Sequence, residues 1–344
     1  MFLYPFSNLD FLTNRLTGHL LNIGWFTISK AIHKIVTEWQ PDVVYAHHTI
    51  PNGFFGRKIH DRYGIPYVVM DHEMTEITAC AFFPARKRAF SKVVEKSGLM
   101  IAGGEVMRRD MEKVFPEARC EVVHYGFNLA QEPNELRVEG REPSAAPTQA
   151  TSHPIHVTAP EALIILSCGM FYGRKNFPGL IQAFNSVAGD FPAATLRICG
   201  DGPDAPNVMA EVNRSPFKNR IEMLGKISHQ EVNRQMLYAD IFALIGWNEP
   251  FGVVYLEAMA AGLPVIACND GGFADIVQDG VDGFLVPPKN IQAASDKLRL
   301  LLGDPNLRKK IASAGQEMVL SKMTWSAITK RYVEIFKNAI TQNQ

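Results

Sequence analysis

The sequence lacks several features, and each absence narrows what the protein can do. Its five cysteines, at positions 80, 120, 168, 199 and 268, stand far apart and form no Cys-x-x-Cys pair. That argues against a disulfide framework or a structural zinc site and fits a reducing compartment. No charge of either sign is in excess: 35 Lys and Arg oppose 35 Asp and Glu. A nucleic-acid binder carries a basic surplus, so no nucleic-acid partner is expected. Long apolar runs are also missing. Residues 16–29 contain no Asp, Glu, Lys or Arg, but they fall short of the ~20 apolar residues of a membrane span and include Thr17, His19 and Asn22. No basic segment precedes the first apolar residues, so a secretory signal is not expected. What is present is ordinary globular composition, 47% hydrophobic and 20% charged over 344 residues. That length suits two domains of ~100–200 residues each. The expected location is cytoplasmic, with peripheral contact at the inner face of the membrane left open.

Leu16, Leu20, Ile23, Thr27, Ala31 and Ile35 recur at helical spacing and predict one amphipathic helix over residues 14–39, packed on a sheet. A membrane-surface role would want a richer basic face. From Pro41 onward, short apolar runs at 43–46, 67–70, 99–102 and 120–124 alternate with helix-compatible stretches at 54–63, 87–96 and 106–114. Short continuous strands between helices predict a parallel sheet covered on both faces. Residues 139–154 are polar and rich in Pro, Ser and Ala, as a linker or insertion would be. A second series then offers strands at 163–167, 195–199, 221–224, 241–245, 264–267 and 283–286 and closing helices at 305–320 and 325–340. Ser228, three residues before Glu231, marks a capped helix start. The expected fold class is α/β, with two doubly wound Rossmann-like domains facing a cleft. In such sheets ligands sit outside the carboxyl ends of the strands.

The densest chemical signal is Asn248-Glu249-Pro250-Phe251-Gly252-Val253-Val254-Tyr255-Leu256-Glu257-Ala258-Met259-Ala260-Ala261-Gly262-Leu263-Pro264. Pro250 suits the first turn of a helix and Gly262 its stop. Glu257 is a lone charge in an apolar stretch, which is costly unless something hydrogen-bonds it. Along a helix the separation from Glu249 to Glu257 is roughly 12 Å, longer than the about 5–9.5 Å of a glycosidase acid–base pair. The spacing suits two carboxylates that accept hydrogen bonds from different parts of one long ligand. Between them, amides around Phe251, Gly252 and Val253 form a helix N-terminus, which attracts phosphate. Gly252 leaves room for close approach. Diol, diphosphate, diol is the layout of a nucleotide sugar. The alternative is structural: Glu249 caps a helix and Glu257 is a satisfied core acid.

The segment from Glu249 to Pro264 resembles the E-x7-E region of the retaining glycosyltransferases of family 4, the glycosyl transferases group 1 enzymes with a GT-B fold. Four further segments resemble that family in the same order. They are Gly169-Met170-Phe171-Tyr172-Gly173-Arg174-Lys175-Asn176, Gly200-Asp201-Gly202-Pro203, Gly271-Gly272-Phe273-Ala274-Asp275-Ile276-Val277, and Gly280-Val281-Asp282-Gly283-Phe284-Leu285-Val286-Pro287. The resemblance covers roughly residue 41 to the C-terminus, with the linker as a gap. It implies that Glu249 contacts hydroxyls of the transferred sugar and Glu257 the nucleotide ribose. It also implies that Phe251, Gly252 and Val253 hold the diphosphate and that Lys175 neutralises leaving-group charge. Gly225 and Lys226 fall where the family meets the base, and His72 where a strand-end histidine faces the donor sugar.

Departures from the pattern are Met170 in place of an arginine, Asp275 in place of Glu, Gly104 where Ser is frequent, and Tyr125-Gly126-Phe127-Asn128 in place of N-G-x-D. Arg174 is the candidate to compensate for Met170, although consecutive residues do not point the same way. No strand and glycine-rich loop precede residue 41, so the first domain is expected to be shortened at its N-terminus. Asp71-His72-Glu73 could suggest a metal, but no second His or Cys stands nearby at ligand spacing, and no metal is expected. His47-His48 reads as a strand-end pair, with a place lining the cleft as the alternative. Arg86-Lys87-Arg88 reads as a solvated face, with contact to anionic lipid or a phosphorylated acceptor as the alternative.

The expected domains are residues 1–130, joined by helix 325–340, then a linker at 131–157 and a donor domain at 158–323. The expected activity is transfer of a sugar from a nucleoside diphosphate to a carbohydrate, lipid-linked or other hydroxyl acceptor, with retention and no cofactor. The alternative is a non-catalytic nucleotide-sugar-binding protein or subunit.

Overall fold

The computed structural model describes residues 16–72, 74–127 and 162–342, and the chain divides into two compact units. The first unit takes the chain up to Tyr125 together with residues 325–344. Its elements are α1 (Thr17–Trp39), β1 (Val44–His47), a turn at Thr49–Gly53, α2 (Phe54–Tyr63), β2 (Tyr67–Met70), α3 (Met74–Ala79), α4 (Pro84–Val94), β3 (Leu99–Ala102), α5 (Glu105–Val114) and β4 (Cys120–Val122). All four strands are parallel, in the order β1-β2-β3-β4. Every residue of β2 is buried, as a strand covered on both faces requires. One core gathers Leu21, Phe54, Phe90, Met107 and Phe115 from α1, α2, α4, α5 and the residue after α5. A second core sets Tyr332, Ile335 and Ala339 of the chain's final helix against Val68, Met70 and Ile101.

The helix α1 corrects one expectation. Of the stripe expected to pack, Leu16, Leu20, Ile23 and Ile35 are exposed. Leu21 and Val36 are buried and Trp25, Ile28 and Ile32 half-buried, a second stripe at the same spacing. Packing is on α4 and α2 rather than on the sheet, with the Trp25 and Phe55 rings 6.3 Å apart. A helix with two apolar stripes gives periodicity no means of choosing between them. The helix expected at 87–96 instead starts at Pro84, whose fixed φ suits a first turn.

The second unit, residues 126–324, continues with β5 (Leu163–Cys168), a 3₁₀ turn (Gly173–Lys175), α6 (Phe177–Ala188), β6 (Ala194–Cys199), α7 (Ala205–Arg214), β7 (Ile221–Gly225), α8 (His229–Tyr238), β8 (Ile241–Leu244), α9 (Val253–Ala260), β9 (Val265–Cys268), a 3₁₀ turn (Gly272–Asp275), β10 (Phe284–Val286), α10 (Ile291–Gly303) and α11 (Pro305–Lys322). The final helix, α12 (Trp325–Gln342), returns to the first unit. The six strands are parallel, in the order β10-β9-β8-β5-β6-β7. From β5 the chain builds outward through β6 and β7, then crosses to β8 and builds the other way. The reversal falls between β5 and β8, which pair through Ile165 with Ile241 and Leu166 with Phe242. Among the described residues no helix is long and apolar enough to cross a membrane.

Candidate active site

Where strand order reverses, the loops leaving two neighbouring strands diverge and expose the carboxyl ends between them. The loop after β5 carries Arg174 and Lys175 in its 3₁₀ turn, and the loop after β8 carries Glu249. The two loops are stitched by a hydrogen bond from the Trp247 amide to the Arg174 carbonyl, 2.8 Å. Arg174 Nη1 lies 2.7 Å and Lys175 Nζ 2.6 Å from the same Glu249 Oε2. The side chains of all three are at least four-fifths buried. The expectation that neighbouring Arg174 and Lys175 diverge is therefore corrected, because the tight turn brings both onto one oxygen. Met170, in contrast, is exposed.

Glu249 is also fixed through its backbone. Its carbonyl accepts from the Gly272 amide at 3.2 Å, and Glu249 and Gly271 form a bridge. Gly271 has φ +139°, and a Cβ there would stand 2.4 Å from the Glu249 carbonyl oxygen, so this contact requires glycine. The Gly271-Gly272 pair thus serves close backbone packing on Glu249.

The helix α9 starts at Val253 with Gly252 as its cap, three residues later than Pro250 suggested. Gly252 has φ +86°, and a Cβ there would meet the Tyr255 ring at 2.4 Å. It is the left-handed turn into α9, packed on Tyr255, that demands glycine. Tyr255 is buried, donates its hydroxyl to the Leu244 carbonyl at 2.9 Å and stacks on Phe273 at 4.4 Å. The helix mouth is therefore pinned to β8 and to the Gly271 segment. At the other end the Gly262 amide reaches Met259 and the Leu263 amide reaches Ala258, at 2.8 and 3.0 Å, a two-bond helix stop. Phe251, Gly252 and Val253 all lie at the mouth, where helix amides favour anions.

Glu257 sits in α9 with its side chain 21% exposed and takes a 2.9 Å hydrogen bond from His229 Nε2. His229 opens α8, whose cap Ser228 accepts the Glu231 amide at 3.2 Å. Gly225 ends β7 and accepts the Gly200 amide at 2.8 Å, while Lys226 is exposed. His229 was not anticipated. Its only sequence signal is its place next to the capping serine and three residues after Lys226.

His72 belongs to the first unit, just beyond β2. Its Nε2 lies 2.8 Å from His47 Nδ1 and its Nδ1 2.7 Å from the Tyr125 hydroxyl. The His47 and His72 rings stack at 5.0 Å. Burial, then the neighbouring His48 and His47, push the His72 imidazole down to about 4. Burial followed by His48 lowers His47 too. This chain of neutral rings borders a cavity of about 400 Å³ within the first unit, lined also by Tyr45, Met70, Trp325 and Tyr332. The cavity was not anticipated, although Trp325, Thr329, Tyr332 and Phe336 repeat at helical spacing along α12.

Asp71 is buried and accepts from the Thr49 hydroxyl at 2.7 Å and the His72 amide at 3.0 Å. Glu73 lies outside the described residues. A different trio, His48, Asp71 and Glu76, places possible ligand atoms within 4.8 Å of one another, and Arg86 stands 3.7 Å from Glu76. Arg86 thus contributes to an ion cluster, while Lys87 lies over the Phe115 ring at 6.0 Å.

Residues 148–318 match the family described as "Glycosyl transferases group 1", and residues 13–131 match "Glycosyltransferase Family 4". A D-inositol 3-phosphate glycosyltransferase of Jonesia denitrificans is 27% identical over 93% of this chain and 76% of its own. A glycogen synthase of Mycobacterium tuberculosis is 24% identical over 87% of this chain and 69% of its own. Among solved structures, sucrose-phosphate synthase from Thermosynechococcus elongatus superposes with a TM-score of 0.73 at 19% identity, over 91% of this chain and 77% of that one. Anabaena Alr3699/HepE, in complex with UDP, gives 0.72 at 20% identity, over 90% and 81%. The chain belongs to the group 1 glycosyltransferases, built on the GT-B fold.

Proposed function

We propose that the protein moves a sugar from a nucleoside diphosphate to an acceptor hydroxyl and keeps the anomeric configuration. The observation that carries this reading is the convergence of Arg174, Lys175 and Glu249 at the strand-order reversal, with the mouth of α9 and Glu257 following in the same segment. The mouth amides at Phe251, Gly252 and Val253 take the diphosphate. Lys175 and Arg174 stabilise negative charge as the glycosidic bond breaks, the kind of preorganised electrostatics that dominates many rate enhancements. Glu249, held by its two cations and by Gly272, accepts hydroxyls of the sugar. Glu257, with His229 beside it, accepts the ribose hydroxyls, and Gly225 and Lys226 border the base. The leaving phosphate takes the acceptor proton on the same face, so no protein nucleophile is needed. His72 brings a neutral imidazole to the donor sugar, the role its family position implies.

UDP and UDP-glucose are bound by the Anabaena HepE structures, which makes UDP-sugars the first donors to try. The test is a screen of UDP-, GDP- and ADP-sugars, with the product's anomeric configuration read by NMR and a chelator arm. Retention, and a rate unchanged by chelator, are expected. Inversion would overturn the retaining reading, and loss restored by Mn or Mg would overturn the metal-free one. A non-catalytic sugar-nucleotide binder is the second reading, favoured by Met170 at the arginine position; donor binding without any transfer would select it.

A further inference from the structure

The five cysteines are not equivalent. Cys80, Cys199 and Cys268 are buried, while Cys120 and Cys168 are half-buried. Burial pushes Cys80 and Cys120 up to about 12 and Cys268 up to about 11. Cys168 moves the other way, mainly because the Cys199 thiol donates a hydrogen bond to its sulfur. The two residues are direct partners in the parallel pairing of β5 with β6. Paired strands run about 4.8 Å apart and partners in register face the same side, and that separation lies inside the about 4.4–6.8 Å window for bridged Cα atoms.

These thiols end β5 and β6, and the loop after β5 carries Arg174 and Lys175 of the proposed donor site. The Gly169 amide donates to the Cys199 carbonyl at 3.0 Å and the Phe171 amide to the Asp201 carbonyl at 2.9 Å, so the loops leave their strands together. A Cβ on Gly169 would lie 3.9 Å from Lys175 Cε. Burial and the Glu257 carboxylate oppose the Cys168 thiolate, and Lys175 favours it. The thiolate is the reactive form of cysteine.

We propose that Cys168 and Cys199 form a reactive dithiol at the ends of β5 and β6, beside the root of the Arg174–Lys175 loop, with Cys168 the attacking sulfur and Cys199 the resolving one. The substrate class is a low-molecular-weight disulfide. The Cys168 thiolate attacks one of its sulfurs, a new S–S bond forms, and the first small thiolate leaves. Cys199 then attacks the Cys168 sulfur, the mixed bond breaks, and the second small thiolate leaves. In sum, two protein thiols lose two electrons and two protons, and one disulfide becomes two thiols. Cys199 is 1% exposed, so it is reached only through Cys168. The position of these thiols at the donor site rests on the proposed function, whereas their pairing does not.

The test is alkylation of the wild-type protein with limiting iodoacetamide, then peptide mapping, with and without UDP. Cys168 is expected to react about ten-fold faster than Cys120 or Cys268. Oxidised glutathione is expected to yield a Cys168–Cys199 cross-linked peptide, and Cys199→Ser to stop at the mixed disulfide on Cys168. Faster alkylation of Cys120 or Cys268, or no cross-link with oxidised glutathione, overturns the dithiol. UDP is expected to slow alkylation of Cys168. Correct thiol order and cross-linking without any UDP effect leaves the dithiol standing and counts against the donor-site reading.

Discussion

Glu249 and His72 are both polar side chains in loops beyond parallel strands, but their surroundings hold them by opposite means. Around Glu249 the second unit places two cations on one carboxylate oxygen and a glycine-backed turn on its carbonyl. Around His72 the first unit places two more imidazoles, a phenol and an aromatic cavity, and burial there disfavours a charge on the His72 ring. The ionic site suits a ligand that brings its own charges and hydroxyls. The neutral site suits a ring or an uncharged hydroxyl. The two kinds of environment should therefore respond differently to substitution and to pH.

The largest expected effect is on the ionic side. Lys175→Ala removes the nearer cation, and transfer turnover should fall about 100- to 1000-fold, as for loss of one group that stabilises transition-state charge. Steady-state kinetics checks this, and an unchanged rate would break the comparison at its strongest point. Next is Gly271→Ala, which sets a Cβ against the Glu249 carbonyl in a backbone conformation that L residues rarely adopt. It should lower stability by about 1–3 kcal/mol, read by denaturant titration, and reduce turnover with it.

The smallest effect is expected on the neutral side and appears as a pH dependence. His72 titrates at about 4 when folded, below its ordinary 6.5, so the unfolded chain binds the proton first. This contribution to stability is full above about 6.5 and is lost as pH falls towards about 4. His72→Gln should flatten the fall in melting temperature across that window. An equally steep fall in the variant would place the titrating group elsewhere.

Much of this fold was legible because its strands are short apolar runs that read the same in any context. The runs 67–70 and 99–102 match β2 and β3 residue for residue. The ionic site was legible because its parts lie in dense segments. What remained hidden is the convergence of Arg174 and Lys175, which depends on a three-residue 3₁₀ turn that no periodicity announces. The start of α9 was hidden likewise, because a left-handed Gly252 delays the helix beyond Pro250. The His72 cluster was harder still. Its members come from residues 45–48, 70–72, 125 and 325–336, and only tertiary packing joins them. The stripe of α1 was misread for a different reason: both apolar faces carry the same spacing, and only the partners α2 and α4 select one.

The central claim is that Glu257 and Glu249 grip different ends of one nucleotide sugar. Calorimetric titration of UDP into the wild type, Glu257→Ala and Glu249→Ala tests it directly, because UDP has the ribose and lacks the sugar. A hydrogen bond to a charged group is worth about 1.5–3 kcal/mol, so Glu257→Ala should weaken UDP about 10- to 100-fold. Glu249→Ala should leave UDP affinity nearly unchanged while turnover is lost. UDP bound equally well by all three proteins, or weakened only by Glu249→Ala, would contradict the assignment.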